Sequence, residues 1–350
     1  MIGRRITVAW LLLAPLVVAP IHLGAASDGT ARTNEDTVVV DEPTAAVIRG
    51  ALEYLAAKQS PNGSWKEGRD EYTAAMTGYA LIAFMATGNL PGEGEHGKAV
   101  AAGMQYLLDA MQPDGTFTPR SGQYMYGHGI ATIALAELFG QTKSAAIRPK
   151  LEKAVKIILG SQNAAGGWRY SPRIGDADIS VTVLQVVALR AAKNAGLDVP
   201  QGSIEKAIGY VHSCYEEKTG GFCYQPHTGA GFARTAAAIY SLQVCGQYDD
   251  PTVKSGSQYL LRQPKDIRGG GWFTYGHFYA APALYMIGGD TWRTWYGRIK
   301  PLLLQHAKRS GELAYWGTEL DGQSIGPIYS TSVYTTILAM PYHYMPLYQR

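Results

Sequence analysis

Apolar residues follow two alternating patterns along the chain. In the first pattern they recur at helical spacing with charged residues between them, as on a helix with one exposed face. In the second pattern the residues are small and apolar on every side, as in a helix inside a protein. The first pattern covers residues 51–55, 104–108, 154–159, 207–211 and 258–261, and the second covers 73–85, 130–139, 181–192, 235–244, 280–287 and 333–340.

A glycine turn closed by an aromatic residue separates the two kinds of stretch and recurs about every 50 residues. Because one helix pair cannot bury its apolar face alone, the repeats have to pack against one another. Neither end shows the polar cap of an open array, so the sequence predicts a closed all-α ring of six inner and six outer helices. The copies are Asn62-Gly63-Ser64-Trp65, Asp114-Gly115-Thr116-Phe117, Gly166-Gly167-Trp168, Gly220-Gly221-Phe222, Gly270-Gly271-Trp272 and a degenerate sixth from Ser310-Gly311 to Trp316.

Residues 1–26 have the composition of a signal peptide. Arg4-Arg5 supply a positive start, residues 6–18 an apolar core, and Gly24-Ala25-Ala26 a small-residue cleavage site. The alternative is a transmembrane anchor, which the short apolar stretch, interrupted by Pro15, disfavours. We therefore expect an exported protein, periplasmic or extracellular, from which this segment has been removed.

The rest of the chain is predicted to contain one domain. Residues 27–43 are polar and are expected to form a flexible leader, and residues 44–350 a single folded domain. Three cysteines, Cys214, Cys223 and Cys245, are an odd number for an exported protein. One disulfide with a free thiol and three buried thiols are both compatible with that number.

The net charge of the chain argues against one class of binding partner. The formal net charge is +3, of which Arg4 and Arg5 contribute two, and no cluster of Lys or Arg follows the signal peptide. Nucleic-acid binding requires a basic face, so we expect no nucleic-acid partner.

The turns in the first and third copies belong to a longer motif that resembles the glutamine–tryptophan motif of squalene and hopene cyclases. The resemblance covers nearly the whole mature chain. It implies the (α/α)6 toroid shared by terpenoid cyclases, protein prenyltransferase β subunits and complement-like thioester domains. The motif fastens outer helices together in those families, so it indicates a fold and leaves the activity open. Its residues are Arg49-Gly50, Tyr54-Leu55, Gln59 and Gly63-Ser64-Trp65, and Lys153-Ala154, Ile157-Ile158, Gln162 and Gly166-Gly167-Trp168.

The resemblance to class II cyclases implies an Asp-x-Asp-Asp acid at the start of an inner helix. The stretch Asp176-Ala177-Asp178-Ile179-Ser180 matches it in part, with Asp178 at the proton donor and Asp176 as the neighbour that tunes it. Ile179 replaces the last aspartate, or Ser180 does when the register is set by Ala188-Leu189. The alternative is that either aspartate caps the inner helix.

Two other families that share the implied toroid use catalytic motifs that this sequence lacks. Prenyltransferase β subunits hold zinc with Asp, Cys and His on inner helices, whereas Ala233-Arg234-Thr235-Ala236-Ala237 stands where those ligands would be. Thioester domains need Cys-Gly-Glu-Gln, and Cys245-Gly246-Gln247 has the wrong spacing. The sequence also contains no CxxC pair and no HExxH helix. We therefore predict no metal site and no cofactor.

Alignment of the inner helices brings several polar side chains to one level, near the opening of the ring. His128 and His277 coincide and are each preceded by Tyr-Gly, with Tyr126 and Tyr275 as the tyrosines. Thr182 lies at the same level and Arg234 one residue before it. We predict that these six side chains contact a ligand, while repeat packing and hydrogen bonds to neighbouring turns are the alternative.

Tyrosine outnumbers phenylalanine 23 to 7, and its apolar face with a polar edge suits an amphipathic or sugar ligand. The predicted function is to bind or act on an isoprenoid, lipid or glycan in the central cavity. The alternative is a non-catalytic toroid whose rim binds another exported protein or the cell wall. The sequence leaves open whether the protein is an enzyme.

Overall fold

The structure is a computed structural model that describes residues 38–117, 124–262, 272–321 and 325–348. The predicted signal peptide and most of the predicted leader lie outside these residues, as do Gly270 and Gly271 of the fifth turn. None of the helices within the described ranges is long and apolar enough to span a membrane.

Twelve α-helices occur in the described ranges and alternate between an inner and an outer position. The inner helices are buried on almost every face (all residues of the first are buried), whereas the outer helices bury one face. The outer helices are α1 (Glu42–Ala57), α3 (Gly97–Ala110), α5 (Ile147–Ser161), α7 (Gln201–Ser213), α9 (Pro251–Arg262) and α11 (Gly289–His306). The inner helices are α2 (Thr73–Ala86), α4 (Tyr124–Thr142), α6 (Ile179–Asn194), α8 (Phe232–Val244), α10 (Phe273–Ile287) and α12 (Pro327–Ala339).

The six inner helices form a closed ring. Each packs against the next in chain order, and α12 packs against α2. This arrangement confirms the predicted all-α toroid.

Two short hairpins and three 3-10 turns complete the described fold. Strands β1 (Tyr215–Glu216) and β2 (Gly221–Phe222) pair antiparallel, with Tyr215 opposite Phe222. Strands β3 (Lys308–Ser310) and β4 (Leu313–Tyr315) pair in the same way beside α1. The 3-10 turns are Asp70–Tyr72, Met340–Tyr342 and Pro346–Tyr348.

The tryptophans of three turns, Trp65, Trp168 and Trp316, each fasten an outer helix to an inner one. The indole N–H of Trp168 donates to the carbonyl of Ile158 at 2.7 Å, and its backbone N–H donates to Thr182 Oγ1 at 3.1 Å. Trp65 and Trp316 make the same two kinds of bond in their own repeats. These bonds satisfy groups that would otherwise be buried without a partner.

The glutamine of the motif joins one repeat to the next. Gln162 Nε2 donates to the carbonyls of Gly166, in its own turn, and Ser203, in the following outer helix, both at 2.9 Å. Gln59 makes the corresponding pair of bonds in the first repeat. The motif therefore connects neighbouring outer helices in this protein.

A carboxylate completes the ring where the first and last repeats meet. In the middle of the chain, the carbonyl of Tyr170 accepts the N–H of Met125 in the preceding inner helix at 2.9 Å. Glu67 stands at the equivalent position of the first repeat, and its Oε2 accepts the N–H of Ile328 in α12 at 2.6 Å. A side chain thus replaces the backbone acceptor at the junction and satisfies a helix N-terminus.

Candidate functional site

A cavity of about 580 Å³ opens among the N-terminal ends of α4, α6, α8 and α10. Eight of its twelve lining residues are aromatic, which gives it a largely apolar wall. The lining residues are Tyr126, Tyr170, Ser180, Tyr224, Gly231, Phe232, Ala233, Arg234, Tyr259, Trp272, Phe273 and Tyr275.

The hydroxyls of this wall bond to one another and to the backbone. Tyr126 and Ser180 share a hydroxyl hydrogen bond of 2.6 Å, and the Tyr275 hydroxyl donates to the carbonyl of Ser180 at 2.9 Å. The hydroxyls of Tyr170 and Tyr224 are also bonded to each other. Burial raises the pKa of the Tyr126 and Tyr275 phenols, so both stay neutral. The cavity therefore presents ring faces and hydroxyls that already have partners.

The ion pair of Arg169 and Asp178 lies next to the tyrosines of the cavity wall. Arg169 Nη1 lies 2.7 Å from Asp178 Oδ2 and 3.0 Å from the hydroxyl of Tyr224. The guanidinium also lies over the ring of Tyr170, 4.5 Å from its centroid. These contacts fix the orientation of both tyrosine rings.

Asp178, the predicted proton donor, is the N-cap residue of α6 and is fully buried. Its carboxylate accepts hydrogen bonds from the N–H of Val181 at 2.9 Å, from the Ser180 hydroxyl and from Arg169. Every partner is a donor, so these contacts occupy the acceptor oxygens of the Asp178 side chain. The hydroxyl of Ser180 separates Asp178 from Tyr126 and the cavity. A catalytic role for Asp178 remains a prediction.

Asp176, the predicted tuning neighbour, lies at the surface. Its side chain is 66% exposed and 3.9 Å from the nearest nitrogen of Arg169. A hydrogen bond from Gln225, together with the N–H of Ala177, lowers the pKa of the Asp176 carboxyl. The two aspartates therefore occupy different environments, and neither lines the cavity.

His128 does not face the opening, contrary to the expected orientation. It is buried, and its Nε2 donates to the carbonyl of Ala154 in outer helix α5 at 3.0 Å. Its Nδ1 then accepts the hydroxyl of Tyr124 at 2.9 Å, and that hydroxyl accepts the N–H of Phe117. Burial lowers the pKa of His128 to about 4, so the ring is neutral. In the second repeat, Tyr124, held by His128, accepts the backbone N–H of the turn aromatic, as Thr182 does in the third repeat.

His277 and Thr182 also lie behind the wall. His277 Nδ1 donates to the carbonyl of Phe273 at 2.9 Å, and burial lowers its pKa to about 4. Thr182 is fully buried and accepts the backbone N–H of Trp168. Of the six predicted ligand contacts, Tyr126, Tyr275 and Arg234 line the cavity, and the two histidines and Thr182 do not.

The inner-helix residues that line the cavity lie at a regular spacing in the sequence. Each of the four inner-helix positions Tyr126, Ser180, Ala233 and Tyr275 stands two residues before a histidine or threonine that faces outward. Two residues turn a helix by about 200°, so these side chains point to the opposite face. Sequence analysis missed Ser180, and the same rule would have found it.

The three cysteines lie outside the cavity lining and are free thiols in the structure. Cys223 donates its N–H to the carbonyl of Cys214 at 2.7 Å, beside the β1–β2 hairpin. Burial raises the pKa of Cys214 to about 11 and that of Cys245 to about 12.

Known proteins with the same architecture are enzymes of more than one kind. Residues 70–235 match the family model of the squalene-hopene cyclase C-terminal domain, and no curated protein sequence matches the chain. A type II terpene cyclase from Scytonema is 14% identical with a TM-score of 0.58, over 87% of this chain and 100% of that chain. The alpha-1,6-mannanase of Salegentibacter sp. with alpha-1,6-mannotriose is 7% identical with a TM-score of 0.63, over 85% and 99%. Cellobiose 2-epimerase from Bacillus thermoamylovorans is 13% identical with a TM-score of 0.63, over 83% and 97%.

At these identities, the solved structures establish the fold alone. The protein is an α/α toroid with a cavity at one end of its inner barrel. Residues 70–235 of this toroid are similar to the squalene-hopene cyclase C-terminal domain, which agrees with the resemblance of its repeat motif.

Proposed function

We propose that the protein binds an amphipathic organic molecule with an apolar body in the cavity at the inner-helix N-termini. The aromatic wall around about 580 Å³ carries this proposal, because that volume suits a small organic ligand. The tyrosine hydroxyls already have partners, so the ring faces are the main surface offered to the ligand. Contact with ring faces favours a lipid or isoprenoid chain over a glycan.

The fold neighbours accommodate ligands of both kinds. A variant of the Scytonema terpene cyclase holds geranylgeranyl dihydroxybenzoate, and a variant of the Salegentibacter mannanase holds alpha-1,6-mannotriose. A toroid of this fold can therefore take an isoprenoid or a sugar, and only the lining of this chain argues for the first.

We favour binding without acid catalysis. The cavity lining contains no carboxylate among the described residues, and Asp178 is engaged by three donors behind the wall. Proton donation from Asp178 would have to pass through the hydroxyls of Ser180 and Tyr126.

A second candidate is a scaffold whose rim binds another exported protein. Two exposed apolar side chains favour it: Trp272 at the cavity edge is 51% exposed, and Ile174 in the loop before α6 is 71% exposed. Both functions place the protein outside the cytoplasm, which we propose from residues 1–26. Sequencing the N-terminus of the secreted protein tests export, and a mature chain that begins near Ser27 is expected.

A thermal-shift screen with isoprenoids, long-chain lipids, sterols and oligosaccharides tests the binding proposal. A ligand at 100 times its Kd should stabilise the fold by about 2.7 kcal/mol. The variant Ala233→Trp fills the cavity and should lose that shift, whereas Lys254→Trp on the exposed face of α9 should keep it. No shift with any compound, or an equal shift in Ala233→Trp, would contradict the proposal.

A further inference from the structure

We propose that the ligand of this cavity carries one anionic group, a carboxylate or a phosphate, which binds to Arg234. This inference rests on the proposed function, since it concerns the ligand of the same site. It follows from a comparison of two guanidinium groups beside the cavity in the described part of the chain, Arg169 and Arg234.

Arg169 is already neutralised by the protein. Its guanidinium forms an ion pair with the buried Asp178 and lies against the rings of Tyr170 and Tyr224. A ligand anion near Arg169 would compete with Asp178 and gain little from the interaction.

Arg234 has no such partner among the described residues. It lines the cavity, is half-buried, and donates one hydrogen bond, from Nη2 to the carbonyl of Ala230 at 3.3 Å. Glu216 lies outside ion-pair distance, and its Oε2 accepts bonds from Thr219 and Ala230 instead. A cation in an aromatic cavity loses hydration when a neutral ligand covers it, whereas an anionic ligand offsets that loss.

The surrounding backbone holds the guanidinium in place. A β-carbon at position 231 would lie 2.7 Å from Nη2 of Arg234, so the space above Gly231 is occupied by the guanidinium itself. Arg234 lies in the first turn of α8, whose positive end adds to the attraction for an anion.

The aromatic wall defines the rest of the ligand. Tyr259 and Phe232 line the cavity together with Arg234. Burial raises the pKa of the Tyr259 phenol and the nearby Arg234 charge opposes that rise, so the guanidinium lies close enough to act on this phenol. Among the residues that the structure describes, the site therefore combines one positive charge that has no ion-pair partner with ring faces, which fits a single anionic group on an apolar chain.

The test compares ligands that share one chain and differ only in the head group. A long-chain alcohol, the corresponding carboxylic acid and the corresponding alkyl phosphate are titrated at neutral pH, below their micelle concentrations, by isothermal calorimetry. Wild-type protein is expected to bind an anionic form at least about tenfold more tightly than the alcohol. Comparison of the acid with the phosphate shows whether the site prefers a carboxylate or a phosphate.

Substitutions test whether the preference for anionic ligands depends on Arg234. Arg234→Gln should bring the ratio of anion to alcohol affinity close to one, and Arg234→Lys should retain part of it because the charge remains. Arg148→Gln, which removes an exposed arginine of α5 bonded to Glu152, should leave the ratio unchanged. Helical circular dichroism confirms that each variant is folded.

Failure of the inference differs from failure of the proposed function. If wild-type protein binds the alcohol and the anions equally, or if Arg234→Gln keeps the preference, the anion site is wrong and the cavity function stands. If none of the three ligands binds wild-type protein, the cavity function fails and the anion site with it.

Discussion

The two ends of the inner barrel are built from the same six helices but differ in how much space they enclose. At the N-terminal end, α4, α6, α8 and α10 surround an aromatic cavity lined by Arg234, which has no ion-pair partner within the described ranges. Toward the other end, Leu347 and Tyr348 pack against Ile133, Tyr240 and other inner-helix residues, and a void of only about 10 Å³ remains. Within the described part of the chain, the C-terminal segment fills that end and leaves little room for a ligand there.

Polar groups at the two ends also differ. The cavity wall bonds its hydroxyls to one another, and its ion pair of Arg169 and Asp178 is complete. The filled end contains Glu137, a buried carboxyl that has no cation beside it among the described residues and accepts the N–H of Leu347. The polar groups named at the first end bond to one another, whereas the carboxyl at the second bonds to the segment that covers it.

Tyr348→Ala should have the largest effect on the fold. Tyr348 is buried against the inner helices, and truncation of a buried aromatic residue costs about 3–4 kcal/mol. Urea unfolding measures the loss. The exposed Tyr344, four residues earlier, is the control, and Tyr344→Ala should cost about 1 kcal/mol or less. Equal losses for the two tyrosines would contradict a filled end.

Glu137 should make the filled end sensitive to pH. Burial raises the pKa of its carboxyl from 4.5 to about 7, so the folded state holds the proton that the unfolded state releases. This raised pKa makes stability decrease as pH rises from 4.5 to 7, by about 3 kcal/mol in total, and little further above that. The variant Glu137→Gln should lose this dependence and exceed wild type at pH 8.

Unfolding of both proteins in urea at pH 5 and pH 8 measures the difference. The comparison with Glu137→Gln separates this carboxyl from all other titrating groups. A wild-type protein that gains stability relative to Glu137→Gln as pH rises would show that the carboxyl is not held protonated.

Asp178→Asn should have a smaller effect, at the cavity end. Asparagine caps a helix nearly as well as aspartate, so the cost comes from Arg169, which loses its buried partner. We expect a loss of about 2 kcal/mol, because Arg169 is partly exposed to solvent. Asp176→Asn, at the surface, should cost about 0.5 kcal/mol or less.

The double variant Arg169→Gln with Asp178→Asn sharpens this prediction, since it should be more stable than the sum of the single losses implies. An Asp178→Asn protein as stable as wild type would show that the ion pair contributes nothing. Loss of turnover on a substrate, with the fold intact, would instead support the catalytic role predicted from the cyclase resemblance.

The repeat period allowed the fold to be predicted, because each turn, outer helix and inner helix recurs in the sequence. The structural role of Trp168 and Gln162 followed from the same repetition. The side-chain direction of His128 did not, since alignment gives the level of a residue along a helix and leaves its face undetermined. The spacing of two residues between Tyr126 and His128 contains that information once the outward face is known.

Contacts between distant segments were beyond sequence reasoning. Nothing in the sequence pairs Arg169 with Asp178 in preference to Asp176, and the choice depends on the path of the loop between them. The packing of Tyr348 inside the barrel likewise brings together residues from the end and the middle of the chain. Such contacts follow from the tertiary fold rather than from a local pattern.

Fluorescence of Trp272 tests the central claim, that a ligand binds at the cavity end, most directly. Trp272 lines the cavity and is 51% exposed, whereas the other tryptophans in the described ranges are buried. A ligand that raises the melting temperature should shift Trp272 emission to the blue or quench it, with the same Kd as calorimetry gives. The change should disappear in Trp272→Phe. A ligand that stabilises the protein without any change in this signal would place the binding site elsewhere and contradict the account.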